Sequence, residues 1–180
     1  MSVGEPAATP RAAITQQQLG AAAERLLSLC RLSGLTIATA ESCTGGLVAA
    51  TLIDIPGSSD VFERGFVSYS NPAKETMLGV PRSLLQRCGA VSREAAEAMA
   101  TGALGNSPAK LVVAVTGIAG PGGGSEEKPV GLVHFAAADR DGRLVHREKR
   151  FGNIGRRQVR LASVAEALAL LEALANAHGG

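Results

Sequence analysis

Residues 110–117, KLVVAVTG, set the first constraint on the fold. Leu111 to Val115 is apolar without interruption, so a strand built from it has no polar face to give to water. Such a strand belongs at the centre of a sheet covered on both sides, the setting of parallel strands under helices. The rest of the chain supplies the helices. Thr15 and Gln18 form a capping box, and Leu19, Ala22, Ala23, Leu26, Leu27 and Cys30 then recur at helical spacing up to a stop at Gly34. Residues 35–40 read as a buried strand, 45–55 as a helix ended by Pro56-Gly57, and 61–70 as a second strand. Asn71 is expected to cap the next helix, with Pro72 at its first position. Ser92 caps another helix, which carries Glu94 and Glu97 near its start. A hairpin is expected to turn at Asp141-Gly142, and a closing helix to run from about 156 to 177. Alternating elements of this kind predict an α/β fold. The expected form is a single three-layer α/β/α domain over residues 14–178, with a mixed, largely parallel sheet and a late β-hairpin. Residues 1–13, rich in Ala and Pro, are expected to form a flexible N-terminal tail.

Composition narrows the function. A net charge of +2 with 3% aromatics and no Trp argues against a nucleic-acid binder, which needs a basic face and stacking rings. No apolar run approaches the ~18 residues of a membrane span. The first thirteen residues carry no signal-peptide core. Three widely spaced cysteines make neither a disulfide framework nor a zinc pattern, so the expected compartment is the reducing cytoplasm. No pair among His134, His146 and His178 has metal-ligand spacing, and no metal or cofactor is expected.

Three segments carry chemistry. TGIAGPGGGSEEKPVG, 116–131, follows the central strand and cannot be regular structure. Ligands of open α/β sheets bind at the carboxyl ends of strands, and glycine lets backbone N–H groups approach an anion. The spacing fits neither a Walker A loop nor a dinucleotide fingerprint, so an anion cradle and a plain surface loop both stay open. ESCTGG, 41–46, is a strand-to-helix turn. Either Ser42 or Cys43 could be a nucleophile there, with the amides from Cys43 to Gly46 receiving an oxyanion. An ordinary helix cap is the simpler alternative. In YSNPAK, 69–74, Lys74 falls in the first turn of a helix, where the dipole disfavours a cation and could make the amine a base; a solvated lysine beside a half-buried Tyr69 is the plainer alternative.

Taken in order, TAESCTGG, FERGFVSYSNPAK, GAVS, TGIAGPGGGSEEKPVG and the late GRRQVR resemble the successive motifs of the CinA C-terminal family in its stand-alone form. The resemblance implies a nicotinamide-nucleotide amidase acting in pyridine nucleotide salvage on a small-molecule nucleotide, with no nucleic-acid or membrane partner. A homo-oligomer, dimer or trimer, is expected. Ser42 would be the nucleophile in preference to Cys43, Lys74 the base, and Tyr69 a proton relay or orienting group. Substrate contacts are expected from Glu41, Thr44, Gly45, Gly46, Asn71, Thr116, Gly117, Gly120, Pro121, Lys128 and Arg156. Gly155 stands where the family has Asp, which leaves Arg160 competing with Arg156 for the phosphate. A non-catalytic nucleotide-binding module and a competence-related partner protein are the alternatives from other functional classes.

Overall fold

The computed structural model describes residues 13–178. The tail expected over 1–13 therefore lies, but for Ala13, outside the described residues.

Among the described residues six helices surround one five-stranded sheet. The chain runs α1 (Gln16–Leu32), β1 (Ile37–Glu41), α2 (Leu47–Ile53), β2 (Phe62–Val67), α3 (Asn71–Leu78), α4 (Arg82–Cys88), α5 (Arg93–Gly105), β3 (Leu111–Gly117), β4 (Leu132–Asp139), β5 (Leu144–Arg150) and α6 (Arg156–Asn176). The strand order is β2-β1-β3-β4-β5. β1 is parallel to both β2 and β3, whereas β4 is antiparallel to β3 and to β5. Four strands thus share one direction and only β4 opposes them. This is the mixed, largely parallel sheet and late hairpin expected.

The hydrophobic pattern explains the layering. Ile37 of β1 and Leu111, Val113 and Val115 of β3 face one side, where α1, α2 and α6 cover them. Ala38 and Ala40 of β1, with Val112 and Ala114 of β3, face the other side under α3, α4 and α5. β3 is buried along its strand, as its unbroken apolar run requires. α5 buries Ala95, Ala96, Ala100 and Ala103, and its small side chains let it lie close to its neighbours. The approach is closest at Gly102, where a Cβ would land on the carbonyl oxygen of Leu78 in α3.

Side-chain caps mark three of the six helix starts, those of α1, α3 and α5. Thr15 Oγ1 accepts from Gln18 N at 3.2 Å, and Gln18 Oε1 accepts from Thr15 N at 2.9 Å. Ser92 Oγ accepts from Ala95 N at 3.1 Å. The expected Asn71 cap falls one residue earlier: Ser70 is extended and accepts from Ala73 N at 3.2 Å, and Asn71 is already helical. Ser and Asn cap by the same oxygen geometry, so adjacent candidates cannot be separated by type. The short helix α4, between Pro81 and Gly89, was not anticipated.

Two topological facts position the site. The chain leaves β1 toward β2 and leaves β3 toward β4, in opposite directions along the sheet. The carboxyl ends of β1 and β3 therefore bound a crevice, the place where ligands enter open α/β sheets. Ser42 and Gly117 stand at these two ends.

Candidate active site

The Ser42 turn is held by its own backbone. Ser42 N donates to Val115 O at 2.9 Å, extending the β1–β3 ladder by one residue. Gly45 and Gly46 then take φ of +59° and +92°, angles that cost any residue with a Cβ. They turn the chain sharply into α2.

Glu41 is the last residue of β1 and is completely buried. Its carboxylate accepts from Gly46 N at 2.9 Å, Val48 N at 3.0 Å and Ala49 N at 2.8 Å. Leu47 N donates to Thr44 O. The amides at the start of α2 are thus satisfied within the protein. This corrects two expectations: Glu41 serves α2 rather than a ligand, and Gly46 has no amide left for an oxyanion. Gly45 N is also engaged, donating to Ser42 O at 3.1 Å. The amides of Cys43 and Thr44 have no acceptor among the described residues, so of the stretch expected to meet an oxyanion only this pair is left free to do so.

Lys74 is the second component. α3 carries it beneath the turn, and its side chain is completely buried. Nζ lies 3.0 Å from Ser42 Oγ, 2.8 Å from Ser68 O and 3.4 Å from Tyr69 O. Burial pushes its pKa down from the ordinary 10.5 to about 8. Desolvation, more than the helix dipole, is the cause. A neutral amine has two protons and one lone pair. The Ser68 and Tyr69 carbonyls accept the protons, which leaves the lone pair for the Ser42 hydroxyl.

Cys43 shares the turn but is held as a thiol. Burial pushes its thiol up to about 12, so no thiolate forms near neutral pH. Tyr69 gives Lys74 its carbonyl, while its ring is 65% exposed at the cavity rim. Lys74 reaches Ser42 directly, so the expected Tyr69 relay has no gap to bridge.

A cavity of about 250 Å³ opens above Ser42 and Lys74. Thr116, Gly117, Gly120 and Arg156 line it as expected. Thr116 Oγ1 is committed to Ala90 O at 2.7 Å, and Arg156 Nη1 donates to Gly120 O at 2.7 Å. Asn71, Pro121 and Lys128 lie outside the lining. Lys128 Nζ instead donates to Cys88 O at 2.8 Å and ties the glycine-rich loop to the end of α4. Thr44 and Gly45 belong to the turn behind the cavity, where Arg160 holds the Cys43 and Thr44 carbonyls. Ala90, Val91 and Ile118 complete the wall. As ordinary apolar residues they carried no individual signal in the sequence.

The histidines stand apart. His134 Nδ1 lies 3.1 Å from His146 Nε2 across β4 and β5, and neither ring lines the cavity. His178 faces Asp139 and Asp141 at 3.0 and 3.3 Å. Asp139 pairs with Leu111 at the amino end of β3, the end of the sheet opposite Ser42.

Comparison with known proteins places this arrangement. The model of the CinA C-terminal domain matches residues 19–175. A nicotinamide-nucleotide amidohydrolase, PncC, from Enterobacter agglomerans is 48% identical over 77% of this chain and 84% of its own length. A CinA-like protein from Synechococcus sp. is 52% identical over 81% of this chain. The chain spans 35% of that protein's length, as against 84% of PncC. The crystal structure of the competence/damage inducible protein CihA from Agrobacterium tumefaciens superposes with a TM-score of 0.87 at 52% identity, covering 91% of this chain and 98% of that one. A match of this extent, in sequence and in fold, makes the chain a member of the CinA C-terminal domain family.

Proposed function

We propose that this chain is an amidohydrolase that converts nicotinamide mononucleotide to nicotinate mononucleotide and ammonia, using Ser42 as nucleophile, in pyridine nucleotide salvage. The observation that carries the reading is the buried Lys74 amine 3.0 Å from Ser42 Oγ, with two carbonyls aligned on its protons. The relationship to a protein named nicotinamide-nucleotide amidohydrolase supports the choice of substrate.

The steps follow from the geometry. Neutral Lys74 takes the Ser42 proton as Oγ attacks the carboxamide carbon. The carbonyl oxygen becomes an oxyanion, received by the Cys43 and Thr44 amides. Collapse of this intermediate breaks the C–N bond, and the Lys74 ammonium gives its proton to the departing nitrogen, which leaves as ammonia. An ester between Ser42 and the nicotinoyl group remains. Water attacks the ester with Lys74 again accepting a proton. The acid product leaves, and the proton on Lys74 returns to Ser42 Oγ. The cavity takes the pyridine ring and its carboxamide, and the exposed Arg156 at the mouth meets the phosphate.

The test is ammonia release from nicotinamide mononucleotide by the wild type, Ser42→Ala, Cys43→Ala and Lys74→Met. The expected result is loss of turnover in the Ser42 and Lys74 variants and its retention in Cys43→Ala. Full activity in Ser42→Ala would exclude the serine mechanism. Loss in Cys43→Ala alone would assign the nucleophile to the thiol.

A further inference from the structure

We propose that Arg160 is a positioning residue that sets the oxyanion-binding amides behind Ser42, a role that rests on the amidohydrolase reading. Arg160 lies near the start of α6, more than a hundred residues from the turn. Its guanidinium makes two contacts there: Nε donates to Cys43 O at 3.1 Å and Nη2 to Thr44 O at 2.8 Å.

These contacts fix two successive peptide planes. In a trans peptide the C=O and the following N–H point in opposite directions. Holding Cys43 O therefore turns the Thr44 N–H away from Arg160. Holding Thr44 O turns the Gly45 N–H away as well, and that group donates to Ser42 O at 3.1 Å. The bond from Gly45 fixes the third plane, and with it the direction of the Cys43 N–H. Three consecutive planes are thus set by two arginine bonds and one internal bond. The two amides left without a protein acceptor, those of Cys43 and Thr44, lie on two of these three planes, the Thr44 amide on one that Arg160 holds and the Cys43 amide on the one that the Gly45 bond holds.

Charge adds to the geometry. None of the ion pairs among the described residues involves Arg160, so its charge acts on the turn. A cation on a peptide carbonyl polarises the peptide and makes its N–H a stronger donor. Arg156 and Arg160 thereby take separate parts. Arg156 lines the cavity, and Arg160 braces the turn without lining it.

The experiment compares Arg160→Gln and Arg160→Lys with the wild type in the full chain. Two rates are read: ammonia release from nicotinamide mononucleotide, and phosphonylation of Ser42 by a small dialkyl fluorophosphonate. In the second reaction the Oγ–P bond forms, fluoride leaves and Lys74 holds the hydroxyl proton, so it probes nucleophile and oxyanion site without the nucleotide. Arg160→Gln is expected to lower kcat by about 100-fold, the scale of one lost oxyanion donor. KM should stay within about threefold, and phosphonylation should slow in parallel. Arg160→Lys, with one charge and one carbonyl contact, should recover about tenfold of that loss. The pH of half-maximal activity should not move, because Lys74 is untouched. Thermal unfolding checks that each variant is folded, and if Arg160→Gln is not, Arg160→Lys carries the comparison. A raised KM at unchanged kcat would make Arg160 a substrate contact and overturn the proposal. So would wild-type phosphonylation in a folded variant, or a wild type that is not labelled at all. Labelling that falls in the variants of a protein that does not hydrolyse the nucleotide would retain the positioning role and reject the substrate.

Discussion

Replacing Lys74 by Met should abolish activity at little net change in stability at pH 7, and should leave a stability difference that depends on pH. The side chains are similar in length, and the substitution removes a cation that is completely buried. The fall in its pKa from 10.5 to about 8 gives the cost of that charge. At about 1.4 kcal/mol per tenfold change in proton affinity it comes to about 3 kcal/mol at pH 7. Against it stand the hydrogen bonds lost to Ser68 O, Tyr69 O and Ser42 Oγ, each worth about 0.5–1.5 kcal/mol and together about 1.5–4.5 kcal/mol. The two contributions nearly cancel, and the net change expected at pH 7 lies within about 1.5 kcal/mol of zero, or a few degrees in Tm for a chain of this size. The sign depends on pH. The folded state releases the lysine proton near pH 8 and the unfolded chain only near 10.5, so between these values the unfolded state binds more protons and wild-type stability rises with pH. The stability of the Met variant relative to wild type should therefore be highest below pH 8 and fall by about 2 kcal/mol between pH 7 and 9.5. Urea unfolding of both proteins at the two pH values measures it, and ammonia release should fall about 10²–10⁴-fold. A difference that does not change with pH would refute the assignment of Lys74 as a buried, destabilised base.

Other outcomes follow from the same geometry. Activity should rise with pH through a single limb near 8 in kcat/KM, as Lys74 loses its proton. The limb should lie lower in kcat, because the bound pyridinium opposes a second cation beside it; a limb that does not move would remove the amine from the neighbourhood of the ring. Glu41→Gln keeps the shape but withdraws the charge that three α2 amides receive, and should cost about 1–3 kcal/mol in urea unfolding together with a loss of kcat. A neutral result would show that α2 does not depend on that carboxylate. Gly102→Ala must separate α3 from α5, since its Cβ would meet Leu78 O, and should destabilise by about 1–3 kcal/mol despite the better helix propensity of Ala. Unchanged stability would mean that the helices can move apart without cost.

Much of the fold is legible in the chain because its signals are local. The unbroken apolar run of β3 requires two covered faces, and Thr15-Gln18 and Ser92 cap helices through bonds that span three residues. The Asn71 cap and α4 were missed for the same kind of reason. Neighbouring Ser70 and Asn71 offer equivalent oxygens, and a seven-residue helix has little periodicity to show.

The site divides along the same line. Ser42 on a strand-to-helix turn and a glycine-rich loop after a central strand could be placed from sequence, since each depends on its immediate neighbours. Whether Lys74 reaches Ser42, 32 positions away, depends on β1 and β2 pairing in parallel so that α3 returns beneath the turn. The same holds for Arg160, which is 117 positions from Cys43 and comes to it only because α6 packs against the sheet. Glu41 shows the distinction most directly, because a carboxylate beside a nucleophile reads as a ligand contact until the fold turns it toward α2. The sequence by itself determined the elements and the chemical groups available, through short-range hydrogen bonding and hydrophobic period. Only the tertiary structure decided which groups meet and which are desolvated, and desolvation is what lowers the pKa of Lys74 from that of an ordinary lysine.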